Sequence, residues 1–190
     1  MRQKISAMAT GLLAVFFLTG FLGPDGTPEE QRAAIQKMRS ETLTQLHQLA
    51  SQSKGEIQKA AGYAVFSNTG INVFVVSSAN GYGVAHNNKT GKDTYMKMYS
   101  GGVGVGMGVK DFRGIFIFST QDAMNGFINE GWAAGGQADA AAKGGDTGAA
   151  TAAALDVGPG IKLYQITENG LALQATIQGT KYWKNDELNE

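Results

Sequence analysis

The sequence predicts an α+β domain. Its sheet is expected to be strongly curved, largely antiparallel and barrel-like, with an amphipathic helix before it and short helices packed against it. Three observations point there. The chain has 27 glycines but only three prolines, and its short apolar runs are broken by turn signals, which favours many strands and tight turns. From Gly102 to Val109 glycine alternates with Val103, Val105, Met107 and Val109, the two-residue period of a strand. Between Thr27 and Ser51 the apolar residues fall instead at helical spacing. A length of 190 residues suits one domain and a leader, and a domain of this size buries roughly 70% of its unfolded-chain surface.

The leader, residues 1–26, opens with Arg2 and Lys4 and continues as an uncharged, mostly apolar run from Ile5 to Leu22. This reads as an export signal or a membrane anchor. At about 1.5 Å per residue the run reaches roughly 27 Å, barely a bilayer core. Leu18, Thr19 and Gly20 match the first three positions of a lipoprotein signal, but Phe21 stands where the lipidated cysteine belongs. A thioether cannot form there. The expected location is the periplasm or cell envelope, with the segment either retained as an anchor or cut at a weak site.

Residues 27–53 form the predicted amphipathic helix. Thr27 is a good N-cap, Pro28 suits the first helical position, and Glu30 completes a capping box. Ile35, Met38, Leu43, Leu46 and Leu49 make the apolar stripe, and the helix is expected from Pro28 to about Ser51. A short helix over Glu56–Ala61 and a strand from Tyr63 to Phe66 follow. Further strands are expected between the turn signals Asn68-Thr69-Gly70, Ala79-Asn80-Gly81, Asn88–Gly91 and Asp111–Gly114. Ala123, Met124, Phe127 and Ile128 share one side of another predicted helix, capped by Ser119 or Thr120. Lys143–Gly148 reads as a loop. The C-terminal stretch reads as a hairpin turning at Glu168-Asn169-Gly170, with Leu171, Leu173, Ala175 and Ile177 on one face.

The glycine run is not a phosphate loop. A dinucleotide fingerprint needs a third glycine five residues after the first; from Gly102 that position is Met107, and from Gly104 it is Val109. The one Gly-Lys pair, Gly91-Lys92, is followed by Asp93 and has no glycine in the upstream position, so no P-loop is present. Gly102, Gly104, Gly106 and Gly108 instead give a strand one bare face. That face either accepts a closely packed element or lines a groove. Met96 and Met98 have even numbers and the later apolar residues odd ones, which predicts a bulge or bend at Gly101-Gly102.

Three segments taken in order carry a resemblance: Ala60–Phe66, Tyr99–Thr120 and Asp122–Ala142. A helix leads into the first. A glycine-alternating strand ending in Lys110-Asp111, an apolar strand, a short helix and a small-residue stretch follow. This order resembles the SYLF domain, a family of bacterial envelope lipoproteins and of eukaryotic actin- and phosphoinositide-binding proteins. The similarity spans roughly residues 54–178, within a domain placed at 54–190. It implies a compact α+β fold and a lipid-binding role without catalysis. The family's membrane-binding opening segment corresponds to Ser51–Phe66 here, with Lys54 and Lys59.

Residue chemistry beside the resemblance points the same way. Lysine plus arginine equals aspartate plus glutamate at 16 each, so bulk charge does not indicate nucleic acid. No cysteine is present, which excludes disulfides, thiolate metal sites and a cysteine nucleophile. No Gly-x-Ser-x-Gly elbow and no zinc-binding histidine spacing occurs. His47 reads as a surface or boundary residue, and His86 as an exposed polar residue in a turn. Neither an enzyme nor a cofactor nor a metal site is expected. Lys110 and Arg113 form a small basic tip between two strands, suited to lipid headgroups. Trp132 and Trp183 read as core or boundary anchors, Trp183 being the better interfacial residue beside Lys181 and Lys184. The expected partner is a phospholipid or membrane surface. The alternative is a protein-interaction or structural envelope module whose sheet binds a polypeptide.

Overall fold

The computed structural model describes residues 24–73, 76–103, 112–133, 154–167, 170–171 and 179–190. Residues 1–23 of the leader, Gly104, Gly106, Gly108, Lys110 and the 143–148 loop lie outside the described residues, as do Leu173, Ala175 and Ile177. Helix α1 runs Pro28–Leu49. Its capping box is closed on both sides: Thr27 Oγ1 accepts from the Glu30 amide at 3.3 Å, and Glu30 Oε2 from the Thr27 amide at 2.8 Å. Helix α2 spans Ser53–Lys59 and α3 spans Gln121–Asn129, where the Thr120 side chain accepts from the Ala123 amide.

Among the described residues nine strands form one antiparallel sheet: β1 (Gly62–Val73), β2 (Val76–Asn87), β3 (Asp93–Val103), β4 (Arg113–Phe118), β5 (Trp132–Ala133), β6 (Leu155–Gly158), β7 (Ile161–Thr167), β8 (Gly170–Leu171) and β9 (Thr180–Lys184). The order is β5-β9-β3-β2-β1-β4-β7-β6, with β8 paired to β7. The sheet curls strongly into half a barrel. A 3-10 turn, η1 (Asp186–Leu188), follows β9.

Each face of the sheet carries a buried core, supplied by alternate residues of the same strands. On one face Phe66, Phe116, Phe118, Met96, Met98 and Tyr182 meet Met124 and Phe127 of α3. On the other, Tyr63, Val65, Val84, Ile115 and Ile117 meet Ile35, Met38 and Leu46 of α1. The α3 face is a packed set of rings. Phe66, Phe116, Phe127, Trp132 and Tyr182 have centroids 4.7–6.1 Å apart, most of them edge-on or tilted, the arrangement ring quadrupoles favour.

Two expected turns lie inside strands. Asn68-Thr69-Gly70 belongs to β1 and Ala79-Asn80-Gly81 to β2. Asn68 is buried, and its Oδ1 accepts from the Phe112 amide at 2.7 Å, pinning the chain that leads into β4. Gly81 and Gly83 are bare because Met98 and Phe66 occupy the space above them, and Phe66 lies directly opposite Gly83 in the register. The Asn88–Gly91 turn does form. The expected bulge at Gly101-Gly102 is absent: β2 and β3 pair without a shift through Ser78–Gly101 and Ser77–Gly102. Met96, Met98 and Ser100 of β3 keep to one buried face; Val105, Met107 and Val109 lie outside the described residues.

Candidate functional site

Lys54 and Lys59 stand at the two ends of α2, both exposed. The helix is anchored beneath them. Ile57 is buried in the α1-side core, and Glu56 accepts a hydrogen bond from the Tyr164 hydroxyl at 2.9 Å while Lys162 Nζ lies 3.8 Å from its other oxygen. Burial, that hydrogen bond and the Glu56 charge push the Tyr164 hydroxyl up to about 12. At the start of α2, His47 Nδ1 lies 2.9 Å from the Ser53 hydroxyl. Burial, reinforced by the nearby Lys54 charge, holds His47 below the usual imidazole range and favours its neutral form.

A second element joins this end. Asn88 Nδ2 donates to the carbonyls of Ile57 (2.6 Å) and Ala60 (3.0 Å), and its amide donates to Ala61 O at 3.1 Å. These carbonyls belong to the exposed end of α2, where orphan acceptors seek donors. The Asn88–Gly91 turn is thereby clamped to the helix C-terminus. Lys89 and Lys92, both exposed, come to the same end of the molecule as Lys59. Sequence spacing hides this, because the two elements are some thirty residues apart. The only local signal is Asn88 itself, a turn residue with a free side-chain amide.

Arg113 stands apart from that end. It lies half-buried at the start of β4, where its guanidinium donates to Thr42 Oγ1 at 3.2 Å and sits 3.9 Å from Glu41. It ties α1 to the sheet. The structure therefore does not bring Arg113 together with Lys54 and Lys59. Gly102 pairs with Ser77 near the far end of β3.

His86 differs from its expected place. It sits half-buried within β2, opposite Asp93 of β3, and not in the turn. Its Nδ1 is 2.6 Å from Asp93 Oδ1, and its ring lies 5.2 Å from that of Tyr63. Asp93 also accepts from Arg39 at 2.9 and 3.0 Å and from Gln36 at 2.8 Å. The carboxylate is thus the meeting point of α1, β2 and β3, and a cross-strand register, invisible to local pattern, puts His86 there. Trp132 joins the ring cluster of the α3 face, while Trp183 is half-buried on the α1 face of β9.

No protein-family model matches the chain. It is similar to Beta cell expansion factor A of Aeromonas veronii, with 36% identity over 164 residues, which cover 86% of this chain. The match spans 61% of that relative's length. Among the described residues no helix is long and apolar enough to cross a membrane.

Proposed function

We propose that the chain is a non-catalytic, SYLF-like domain of the cell envelope that binds the anionic surface of phospholipid membranes through its α2 end. The observation that carries this reading is the clamp made by Asn88, which gathers Lys59, Lys89 and Lys92 around one helix terminus with Lys54 about 7.5 Å back along α2. All four are exposed, and none is in an ion pair among the described residues. The ordered resemblance of segments 60–66, 99–120 and 122–142 to the SYLF family adds the lipid class.

Each lysine near an anionic leaflet contributes about 1 kcal/mol, so four give about 4 kcal/mol, near millimolar affinity. Binding is weak and electrostatic, and it fades as the Debye length shrinks from about 10 Å at 0.1 M salt to about 3 Å at 1 M. Co-sedimentation with phosphatidylserine-containing vesicles over a salt series is the test. Neutralising either pair, Lys54→Gln with Lys59→Gln or Lys89→Gln with Lys92→Gln, weakens association roughly thirtyfold, about 2 kcal/mol. If the unchanged protein stays in the supernatant at low salt, the reading falls and a protein-binding module takes its place.

A further inference from the structure

We propose that the part of the α1 face left open beside α1 binds a strand of acidic polysaccharide. The face is built by register. Tyr82 of β2, Lys97 of β3 and Trp183 of β9 lie side by side in one row, and Asn80, Tyr99 and Lys181 form the next. Aromatic and cationic side chains therefore alternate over two rows of three adjacent strands, about 4.8 Å apart across the sheet. Tyr99 is 43% exposed, one of two large apolar side chains so open among the described residues. Lys181 is exposed and has no ion pair among the described residues. The contrast with the α3 face is sharp: there Phe66, Phe116, Phe118, Phe127, Trp132 and Tyr182 meet one another, whereas Tyr82, Tyr99 and Trp183 touch no other ring among the described residues, Tyr82 resting against the edge of the α1-side core.

The chemistry suits a sugar chain. Pyranose rings present a flat face of C–H groups to an aromatic surface and hydroxyls at their rim. Here the rings bear polar tips, two phenol hydroxyls and an indole N–H. Lys97 is fixed by Glu187 at 3.3 Å, so a charged donor and acceptor stand together at the border for hydroxyl groups. Lys181 complements a uronate carboxylate.

Shape decides against the other occupants. Helix α1 and η1 pack on this same face, where Leu188 joins the α1 core and Arg39 binds Asp93. A helix with its side chains is about 10–12 Å across. A planar bilayer resting on α1 is held about 10 Å above the sheet floor, whereas a single polymer strand lies along the step. A peptide strand needs a sheet edge for its backbone hydrogen bonds, and this is a face. The site is distinct from the lipid-binding end: Tyr99 lies seven residues beyond Lys92, over 20 Å along β3 at strand rise.

The test uses the full chain with polygalacturonate, a uronate polymer, and dextran as its uncharged counterpart, followed by affinity electrophoresis and tryptophan fluorescence. Polygalacturonate retards the protein and changes the Trp183 emission; dextran does so at least tenfold more weakly. Tyr99→Ala and Lys181→Gln each weaken retardation at least fivefold with unchanged melting temperatures. Trp183→Phe removes the fluorescence change but keeps binding within about threefold, because a ring remains. Lys59→Gln leaves polygalacturonate binding intact, which separates this face from the lipid-binding end. The proposal is overturned if polygalacturonate causes no retardation, if dextran binds equally, or if Tyr99→Ala and Lys181→Gln bind as the parent does. It is overturned equally if these two variants lose vesicle association instead.

Discussion

Gly83 and Gly55 are both glycines in regular structure, yet replacing them should move stability in opposite directions. A Cβ on Gly83 would run into the Val65 carbonyl and the Phe66 ring, whose Cγ lies 2.7 Å away. Both are fixed: the carbonyl belongs to the paired strand, and Phe66 is fully buried among other rings. Gly83→Ala should therefore cost about 1–3 kcal/mol, the usual range for forcing atoms into a packed core. Gly55 lies inside α2 with nothing within 4 Å of a built Cβ. There Gly55→Ala meets no obstacle and relieves a poor helix former, so it should stabilise by about 0.5–1 kcal/mol. Urea unfolding of both variants is the measurement. Equal signs would mean that Phe66 can yield and that the bare position in β2 is not held by packing.

At the scale of elements, α1 is held by an apolar stripe and by one polar clasp. Arg39 reaches both oxygens of Asp93 with each side chain about three-quarters covered, where screening is weaker than at the surface. Lys37 and Glu41 on the same helix are 4.0 Å apart and open to water. A double-mutant cycle of Arg39→Met with Asp93→Asn should show a coupling of about 1–2 kcal/mol, against about 0.5 kcal/mol or less for Lys37→Met with Glu41→Gln. Similar couplings for both pairs would leave the apolar stripe as the sole anchor. That α1 and α3 exist was legible in the sequence, because a cap such as Thr27 or Thr120 and an apolar spacing are local facts. The extent of β1 and β2 was not. Asn68 and Gly81 look like turn residues, but a buried hydrogen bond to Phe112 and the bulk of Met98 put them inside strands. The candidate site divides the same way. Lys59 on a short helix, with Lys54 just ahead of it, could be read in advance, although the helix begins at Ser53 and so takes in Lys54 as well. The arrival of Lys89 and Lys92 could not, since it depends on Asn88 finding carbonyls far away in the chain. Arg113 looked free beside Lys110 because its partners, Glu41 and Thr42, lie on a distant helix.

At the scale of the whole molecule, a sheet with a core on each face buries tyrosines in both, and Tyr164 and Tyr182 should contribute to the alkaline limit of the fold beside Tyr63, which burial also raises. Tyr164 belongs to the α1 side and Tyr182 to the α3 side. Burial raises both phenols, Tyr164 to about 12 with help from Glu56, and Tyr182 by burial alone. A raised phenol is favoured in its neutral form in the folded state, while the unfolded chain loses that proton near pH 10. The two states bind equal protons below pH 10, so this contribution is complete there. Above pH 10 the folded state holds protons that the unfolded state has released, and stability falls by at most about 1.4 kcal/mol per pH unit for each phenol; for Tyr164 the fall ends near pH 12. The hydroxyls differ in what they do at neutral pH. That of Tyr164 donates to Glu56, so Tyr164→Phe should cost about 1 kcal/mol at pH 7. That of Tyr182 is buried with no hydrogen-bond partner among the described residues, so Tyr182→Phe should be neutral or stabilising by about 1 kcal/mol at pH 7. Both variants should flatten the decline between pH 10 and 11, since each removes one proton that folding retains. Urea unfolding at pH 7, 10 and 11 separates the two effects. A loss of more than about 1 kcal/mol for Tyr182→Phe at pH 7 would mean that its hydroxyl is bonded in solution. A decline of unchanged slope in both variants would take the alkaline limit away from these two phenols and leave it to Tyr63 and the surface lysines.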